Sequence, residues 1–153
     1  MTMTTAPDDF DAFFRDAEPR LRRAYAGRLA PDHVGDAVSA ALEFAWRNWD
    51  RVAPMEHPVA YLFRVGLSKS RRRKEGRLPA SPPQEVMHVE PALVSAMQRL
   101  PPRQREVVWL VDACEWTPTE AAQALGLSLS AVRTHRTRGL ESLRQHLGVN
   151  SNA

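Results

Sequence analysis

Two clusters of basic residues are the parts of this sequence best suited to chemistry, and the chemistry they suit is the binding of phosphate. Residues 61–153 carry fourteen Lys and Arg against eight Asp and Glu, whereas residues 1–60 carry seven against ten. The excess lies in Lys69–Arg77 and in Arg133–Arg144. Clustered cations are the electrostatic footprint of a nucleic-acid-binding protein, although a solvated basic face produces the same pattern.

The second cluster lies on a segment whose spacing predicts a helix with one exposed polar face. By the three-and-four spacing of helices, that face carries Ser130, Arg133, Thr134, Thr137 and Arg138. Arginine can form two hydrogen bonds to a guanine edge, threonine can bond bases or phosphates, and the helix start at Ser128 attracts phosphate. We therefore predict that this face enters the major groove of DNA. A plain amphipathic helical hairpin is the alternative interpretation.

The segment before this helix carries an unusually complete signal for a helix start. Thr117 is followed by a proline and then, three residues after the threonine, by Glu120, which is the pattern of a capping box. Gly126 permits a tight turn, and Ser128 can cap the next helix. Small residues at 121–122 allow the two helices to cross closely. These features together predict a helix-turn-helix.

Apolar periodicity predicts further helices elsewhere and no convincing strand. The helices are expected over residues 10–29 with an interruption at Pro19, 32–49, 59–74, 92–100, 102–113, 117–125 and 128–147. We expect Asp32 to cap the second helix, Trp49 to end its apolar stripe and Leu147 to face inward. Arg136 falls near the packed face of the last helix, so its side chain must extend outward to reach water.

Prolines divide the chain. Between residues 75 and 91 the helical periodicity disappears and four prolines accumulate, which is typical of a linker. We predict an all-α fold with two small helical domains, residues 8–75 and 92–148, joined by a linker at residues 76–91. The length of 153 residues is sufficient for two domains of this size.

Other classes of function find little support in the sequence. The five histidines are scattered without metal-ligand spacing, there is no glycine-rich phosphate loop, and the single cysteine, Cys114, cannot form an internal disulfide. We therefore expect no enzyme activity, no cofactor, no bound metal and no small-molecule substrate. The first nine residues lack an apolar export segment, and no stretch approaches about 20 consecutive apolar residues. A cytoplasmic protein without a membrane partner is expected.

The carboxy-terminal motifs resemble a known family. Residues 100–108 are LPPRQREVV, residues 119–128 are TEAAQALGLS, and residues 131–134 are AVRT. This pattern is similar to the promoter-reading domain of extracytoplasmic-function sigma factors, and the resemblance covers about residues 91–147. The run PRQRE is far more distinctive than a lone helix-turn-helix. The resemblance implies core RNA polymerase and promoter DNA as partners, with the polymerase supplying all nucleotide chemistry.

The amino-terminal half resembles the other domain of that family. The resemblance implies that one helix docks on the clamp of the polymerase, through a polar face formed by Asp36, Ser39, Glu43 and Arg47. It implies that a second helix contacts melted promoter DNA, through Tyr61, Arg64, Lys69, Arg71, Arg72, Arg73 and Lys74. The sequence departs from the family at five of its positions, namely Ser39, Ala40, Ser68, Arg72 and Arg136. Many relatives have a glutamine-glutamate pair at the first two positions, an asparagine and an aspartate at the next two, and an apolar residue at the last.

Four aromatic residues lie close in sequence to the first basic cluster. They are Trp46, Trp49, Tyr61 and Phe63, and such rings can receive unstacked bases during DNA melting. We expect Trp49 and Phe63 to be packing residues instead, because their positions fit apolar stripes.

A stand-alone helix-turn-helix regulator is the alternative function. Such a regulator normally reads two half-sites as a dimer, whereas a sigma factor reads two promoter elements with two different domains of one chain. The unlike halves and the two separate basic clusters favour the sigma factor. A sigma-like protein that requires an accessory partner is a third hypothesis. In this family an anti-sigma factor commonly clamps or separates the two domains, and the proline-containing linker would permit that here.

Overall fold

The computed structural model describes the backbone of residues 7–74 and 91–148, and side chains within residues 9–70 and 91–148. Every regular element in these ranges is helical, which confirms the all-α prediction. The chain divides into two compact units, and the division falls between Pro83 and Gln84. We call them the amino-terminal unit and the carboxy-terminal unit. The predicted linker at residues 76–91 lies almost wholly outside the described residues.

The described residues of the amino-terminal unit form four helices. They are α1 (Pro7–Ala26), α2 (Pro31–Arg47), α3 (Trp49–Val52) and α4 (Pro58–Lys74). Helix α1 continues through Pro19, and α2 packs against both α1 and α4. Seven residues of α2 are buried, at the spacing expected of a helix that packs between two others.

A buried tyrosine connects α1 to α4. The Tyr25 hydroxyl donates to the backbone oxygens of Phe63 and Leu62 at 3.0 and 3.2 Å, and its ring stacks on that of Phe63 at 4.9 Å. Burial raises the pKa of Tyr25 well above its usual value. At Gly66 a Cβ atom would overlap the Tyr25 hydroxyl and would lie 2.7 Å from the carbonyl oxygen of Ala37. Only glycine therefore allows this close approach of α4 to Tyr25 and to α2. Phe63 is buried and stacks on Tyr25, so its predicted packing role is confirmed.

The predicted cap of α2 is wrong. Ala30 occupies the N-cap position in an extended conformation, with φ −60° and ψ 144°, and no side chain caps the helix. The fixed φ of Pro31 favours the first helical position, so the helix begins before Asp32, which lies within its first turn.

The predicted extent of α2 is also wrong at its other end. The helix ends at Arg47, because Asn48 adopts φ −122° and ψ 32° and its side-chain amide donates to the backbone oxygen of Phe44 at 3.0 Å. Trp49 therefore begins α3. Its ring lies 5.3 Å from that of Phe10, so the expectation that Trp49 is a packing residue is confirmed even though its helix is a different one.

Over residues 91–148, the carboxy-terminal unit has four helices and one π-helical turn. The elements are α5 (Pro91–Gln98), α6 (Pro102–Val108), the π-helical turn Trp109–Ala113, α7 (Pro118–Leu125) and α8 (Leu129–His146). Helix α8 packs against α5, α6 and α7. Leu100, Val108 and Leu143 lie at the centre of this core. A Cβ at Gly139 would lie 2.7 Å from a Val108 methyl group, so α8 crosses α6 closely at that residue.

The last predicted inward residue of α8 is exposed. Leu147 follows the final helical residue, and 38% of its surface is accessible to water. The helical periodicity that would have turned this side chain inward no longer applies beyond His146, so the prediction is wrong.

The helix predicted over residues 102–113 changes character at its end. The backbone N–H of Cys114 donates to the oxygen of Trp109 at 2.9 Å, which is the five-residue bond of a π turn. Glu115 then has a positive φ of 60°, and Trp116 is buried. The wide turn precedes α7. Within the described residues, none of the helices combines the length and apolar character needed to cross a lipid bilayer.

Candidate functional site

The start of α7 has the geometry that the sequence predicted. The Thr117 hydroxyl oxygen accepts from the backbone N–H of Glu120 at 3.1 Å, and a Glu120 carboxylate oxygen accepts from the backbone N–H of Thr117 at 3.1 Å. Two N–H groups that the helix leaves without partners are satisfied in this way. The predicted capping box is confirmed, and it sets where the first helix of the helix-turn-helix begins.

The turn between α7 and α8 is short because a glycine takes a left-handed conformation. Gly126 has φ 67° and ψ 35°, and its backbone N–H donates to the oxygen of Ala122. Ser128 follows in an extended conformation, and its hydroxyl accepts from the backbone N–H of Ala131 at 3.1 Å. The predicted cap of α8 is confirmed, so the first turn of α8 is fixed relative to α7.

The outer face of α8 brings together the side chains that the sequence assigned to DNA. All five members of this face are exposed: Ser130, Arg133, Thr134, Thr137 and Arg138. We call them the recognition face. The Thr137 hydroxyl donates to the backbone oxygen of Arg133 at 3.0 Å, which leaves its lone pairs as acceptors. Within the described part of the chain neither Arg133 nor Arg138 forms an ion pair, so both guanidinium groups are available to a ligand.

The flank of α8 carries an ion pair that the sequence did not predict. Arg136 donates to both carboxylate oxygens of Asp112, from Nη2 at 2.6 Å and from Nε at 3.0 Å. The side chains are 44% and 27% exposed. The hydrogen bonds and charge of this carboxylate raise the pKa of Arg136. As predicted, the arginine extends outward from the packed face, and its partner lies in the π-helical turn.

Helix α4 carries the residues assigned to melted DNA. Tyr61 is half-buried, whereas Arg64 and Lys69 are exposed. The Lys69 ammonium lies 5.6 Å from the centre of the Phe44 ring, and that ring lies 6.0 Å from the ring of Tyr61. The sequence did not predict a role for Phe44, because its contact with Tyr61 is made between two helices and the spacing within either helix does not reveal it. The backbone of Arg71–Lys74 continues α4, and the side chains of Arg71, Arg72, Arg73 and Lys74 lie outside the described residues.

Helix α2 presents the polar face that the resemblance assigned to the polymerase. Asp36 is half-buried, and Ser39, Glu43 and Arg47 are exposed. Arg47 and Glu43 are one helical turn apart, and their side chains form an ion pair with an N···O distance of 3.0 Å. The four side chains therefore form a continuous stripe along the helix.

An aromatic groove that the sequence analysis missed lies beside this stripe. The groove has a volume of about 370 Å³ between α1 and α2, and its lining includes Phe10, Phe14, Ser39, Glu43 and Trp46. Trp46 is 60% exposed and packs edge-on against Phe10 at 5.0 Å. Trp46 thus adjoins the polar stripe of α2. The spacing of residues 39, 43 and 46 is the signal that could have placed it there.

A capped helix-turn-helix with an exposed, cationic second helix defines the class of DNA-binding helix-turn-helix proteins. Residues 91–143 match the family model described as sigma-70, region 4. The RNA polymerase sigma-E factor of Streptomyces coelicolor is 31% identical, with 91% of this chain and 86% of the relative covered. The sigma-E factor of Streptomyces avermitilis is 32% identical, with coverage of 91% and 85%.

Two solved structures are similar over nearly the whole chain. One is the sigma factor RpoE in complex with the anti-sigma factor NepR from Bartonella quintana, with a TM-score of 0.70, 23% identity and coverage of 93% and 98%. At that identity the likeness concerns the fold alone. The other is CnrH in complex with the cytosolic domain of CnrY, with a TM-score of 0.69, 26% identity and coverage of 97% and 93%. The chain belongs to the extracytoplasmic-function family of RNA polymerase sigma factors.

Proposed function

We propose that this chain is an alternative sigma factor that binds core RNA polymerase and directs it to a set of promoters. The observation that carries the proposal is the recognition face of α8, five exposed side chains held on a helix-turn-helix whose two helix starts are both capped. Membership of the sigma-factor family supports core RNA polymerase as the partner. The protein then selects the promoter, and the polymerase carries out the chemistry.

Helix α8 is proposed to read the upstream promoter element. Its N-terminus, capped by Ser128, presents backbone N–H groups that suit a phosphate. Arg133 and Arg138 project from the exposed face, where a guanidinium can bond the O6 and N7 atoms of guanine. Ser130, Thr134 and Thr137 offer hydroxyl groups to bases or to the backbone.

Helix α4 is proposed to contact the opened strands. Tyr61 offers a partly exposed ring for an unstacked base, while Arg64 and Lys69 offer charge to phosphates. The contact of Phe44 with Tyr61 holds that ring in place. We propose the same phosphate-binding role for the basic residues Arg71, Arg72, Arg73 and Lys74 at the end of the helix.

Helix α2 is proposed to bind the polymerase through its polar stripe and the adjoining aromatic groove. Exposed aromatic side chains such as Trp46 are common centres of binding energy in protein interfaces. Asp36, Ser39, Glu43 and Arg47 would then form the polar rim around that contact. Trp46 gives this surface an apolar anchor, which the four predicted polar residues alone would not provide.

Regulation by an anti-sigma factor is part of the proposal. CnrH was solved in complex with the cytosolic domain of CnrY, and this chain is 26% identical to CnrH over nearly its whole length. We propose that a comparable partner binds this chain and that both act in the cytoplasm, where core polymerase meets promoter DNA. The stand-alone regulator is not favoured, because relatives that align over most of this chain are sigma factors.

The test combines core binding with promoter selection. The purified chain is mixed with core RNA polymerase, and transcription from a promoter library is measured. We expect stable binding and a restricted set of transcripts. Arg133→Ala should lower transcription from the preferred promoters by about tenfold to a hundredfold, which corresponds to the loss of one bidentate base contact, while core binding is kept.

Arg99→Ala is the matched control, because Arg99 is an exposed arginine of the same unit outside α8. It should leave promoter choice unchanged. An Arg133→Ala protein with unaltered promoter selectivity would refute the assignment of the recognition face. Binding of DNA without affinity for core polymerase would instead support the stand-alone regulator.

A further inference from the structure

The Asp112–Arg136 pair lies beside the recognition face without belonging to it. Arg136 is three residues after Arg133 and directly before Thr137, so it lies on the side of α8 between the exposed face and the buried one. One edge of its guanidinium, formed by Nε and Nη2, donates to both oxygens of a single carboxylate. A two-bond geometry of this kind fixes the direction of the arginine side chain more firmly than a single contact would.

The carboxylate comes from an irregular part of the backbone. Asp112 lies in the π-helical turn, which the bond from Cys114 to Trp109 closes. Turns of this type are rare and frequently occur at functional sites. Here the turn places an acidic side chain, 24 residues earlier in the chain, against the flank of α8.

An unpaired arginine at this position would alter DNA binding in a particular way. When α8 occupies a major groove, residues on its flanks face the phosphate backbones on either side. Arg136 is long enough to reach a phosphate from such a position, and its charge is permanent. On unrelated DNA, where phosphate contacts supply essentially all of the binding, a free cation can find a phosphate in any register, whereas on a promoter the base contacts fix the register of α8. The gain in affinity is therefore larger for unrelated DNA, and the ratio of specific to non-specific binding falls.

We propose that Asp112 is a residue that sets promoter selectivity by positioning Arg136, holding this cation against the π-helical turn and away from the DNA backbone. The inference rests on the proposed promoter-binding function of α8. It assigns to Asp112 a role that does not require contact with DNA. The carboxylate neutralises the arginine, so the base-reading side chains of the recognition face contribute a larger share of the binding free energy.

The experiment measures how DNA affinity depends on salt. The full chain, assembled with core polymerase, is titrated against a preferred promoter fragment and against a fragment of unrelated sequence at several salt concentrations. Asp112→Asn keeps the size of the side chain and removes its charge. We expect the slope of log affinity against log salt to steepen by about 0.9, the value for one additional phosphate contact.

The same variant should bind the unrelated fragment about threefold to fivefold more tightly at low salt, with a smaller gain for the promoter. The ratio of promoter to non-specific affinity therefore falls. A purely structural ion pair predicts a different result, namely a lower unfolding temperature and weaker promoter binding with an unchanged slope. That result would overturn the proposal.

Three further variants test the route of the effect. Glu115→Gln makes the same change in charge three residues along the chain, at an exposed side chain, and should leave the slope unchanged. Arg136→Leu should not steepen the slope, because no cation is then released to bind phosphate. The double variant Asp112→Asn/Arg136→Leu should return to the wild-type slope, since the released cation is gone.

Three outcomes among these variants would contradict the proposal. A steeper slope in Glu115→Gln would show that net charge alone is responsible. A steeper slope in the double variant would show that the effect of Asp112→Asn does not pass through Arg136. A slope in the double variant shallower than that of the wild type would show that Arg136 already contacts phosphate in the wild-type protein. Failure of the proposed function looks different, because the wild-type holoenzyme would then not distinguish the promoter fragment from the unrelated one.

Discussion

The two units of this protein place their site residues by different means. In the carboxy-terminal unit, side chains only a few positions away specify where the two helices of the helix-turn-helix begin, as Thr117 and Glu120 do for α7 and Ser128 does for α8. In the amino-terminal unit, α2 begins after Ala30 without a side-chain cap. That unit depends instead on contacts between distant residues, such as Tyr25 with Phe63.

The difference has a physical consequence for the sites. The recognition face lies on a single helix, so its geometry needs little more than a correct helix start and a correct turn. The proposed polymerase surface combines side chains of α1 and α2, and the proposed melting surface combines side chains of α2 and α4. Both surfaces of the amino-terminal unit therefore exist only when its helices are packed.

A glycine-to-alanine substitution in each unit should produce the largest difference in stability between the two units. Gly66→Ala brings a Cβ into overlap with the Tyr25 hydroxyl and within 2.7 Å of the backbone oxygen of Ala37, neither of which can move freely. We expect a loss of about 3 kcal/mol in the stability of the amino-terminal unit, the upper end for overpacking. Gly139→Ala meets a methyl group of Val108 that can shift, and the better helix propensity of alanine offsets about 1 kcal/mol of the strain.

Hydrogen exchange of the full-length chain measures both effects, because peptides report on each unit separately. The protection of backbone amides against exchange should fall in the amino-terminal unit of Gly66→Ala. In Gly139→Ala the amide protection of the carboxy-terminal unit should change by less than about tenfold. Equal losses in the two variants would show that the crossing of α6 and α8 is as rigid as that of α2 and α4.

The same contrast explains which features the sequence could predict. The helix-turn-helix was predictable because its signals, from Thr117 to Ser128, lie within one short segment. Pro31 could also have corrected the cap of α2, since proline at the first helical position points to Ala30. The Asp112–Arg136 pair, the close approach at Gly66 and the groove beside Trp46 each join distant segments, and no periodicity within one helix encodes them.

A pH titration should sharpen the comparison, because both tyrosines of the chain belong to the amino-terminal unit. The folded-state pKa of Tyr25 lies above the unfolded value near 10, because burial disfavours the phenolate. Its contribution to stability is therefore complete below about pH 10 and is lost as the pH rises further. Between pH 8 and 11 the loss should be about 1.4 kcal/mol.

Denaturant unfolding at each pH measures this loss, and Tyr25→Phe is the control because it removes the titrating group. The variant should lack the extra loss of stability above pH 10, although its stability at neutral pH is lower by about 1 kcal/mol for the missing hydroxyl. If wild type and variant lose stability in parallel above pH 10, the Tyr25 hydroxyl is not buried in the way described.

The smallest expected effects come from exchanging the local signals between the two units. Ala30→Asp places an acceptor at the uncapped start of α2, where Ala30 already has the extended conformation that an N-cap requires. The new carboxylate also lies at the positive end of the helix dipole. We expect the amino-terminal unit to gain about 0.5 to 1 kcal/mol. Thr117→Ala removes the existing cap of α7, and the carboxy-terminal unit should lose about 1 kcal/mol.

Hydrogen exchange within each unit again measures the two changes, and Ala30→Leu is the control that alters the side chain without adding an acceptor. A gain in stability in Ala30→Asp that is absent in Ala30→Leu would show that the start of α2 can accept a side-chain cap, although this sequence has none there. No gain in Ala30→Asp would mean that Pro31 already fixes the start of the helix, so that an added local signal has nothing left to specify. The start of α2 would then be set by the backbone conformation of Pro31 without a side-chain cap, in contrast to the starts of α7 and α8, which both have one.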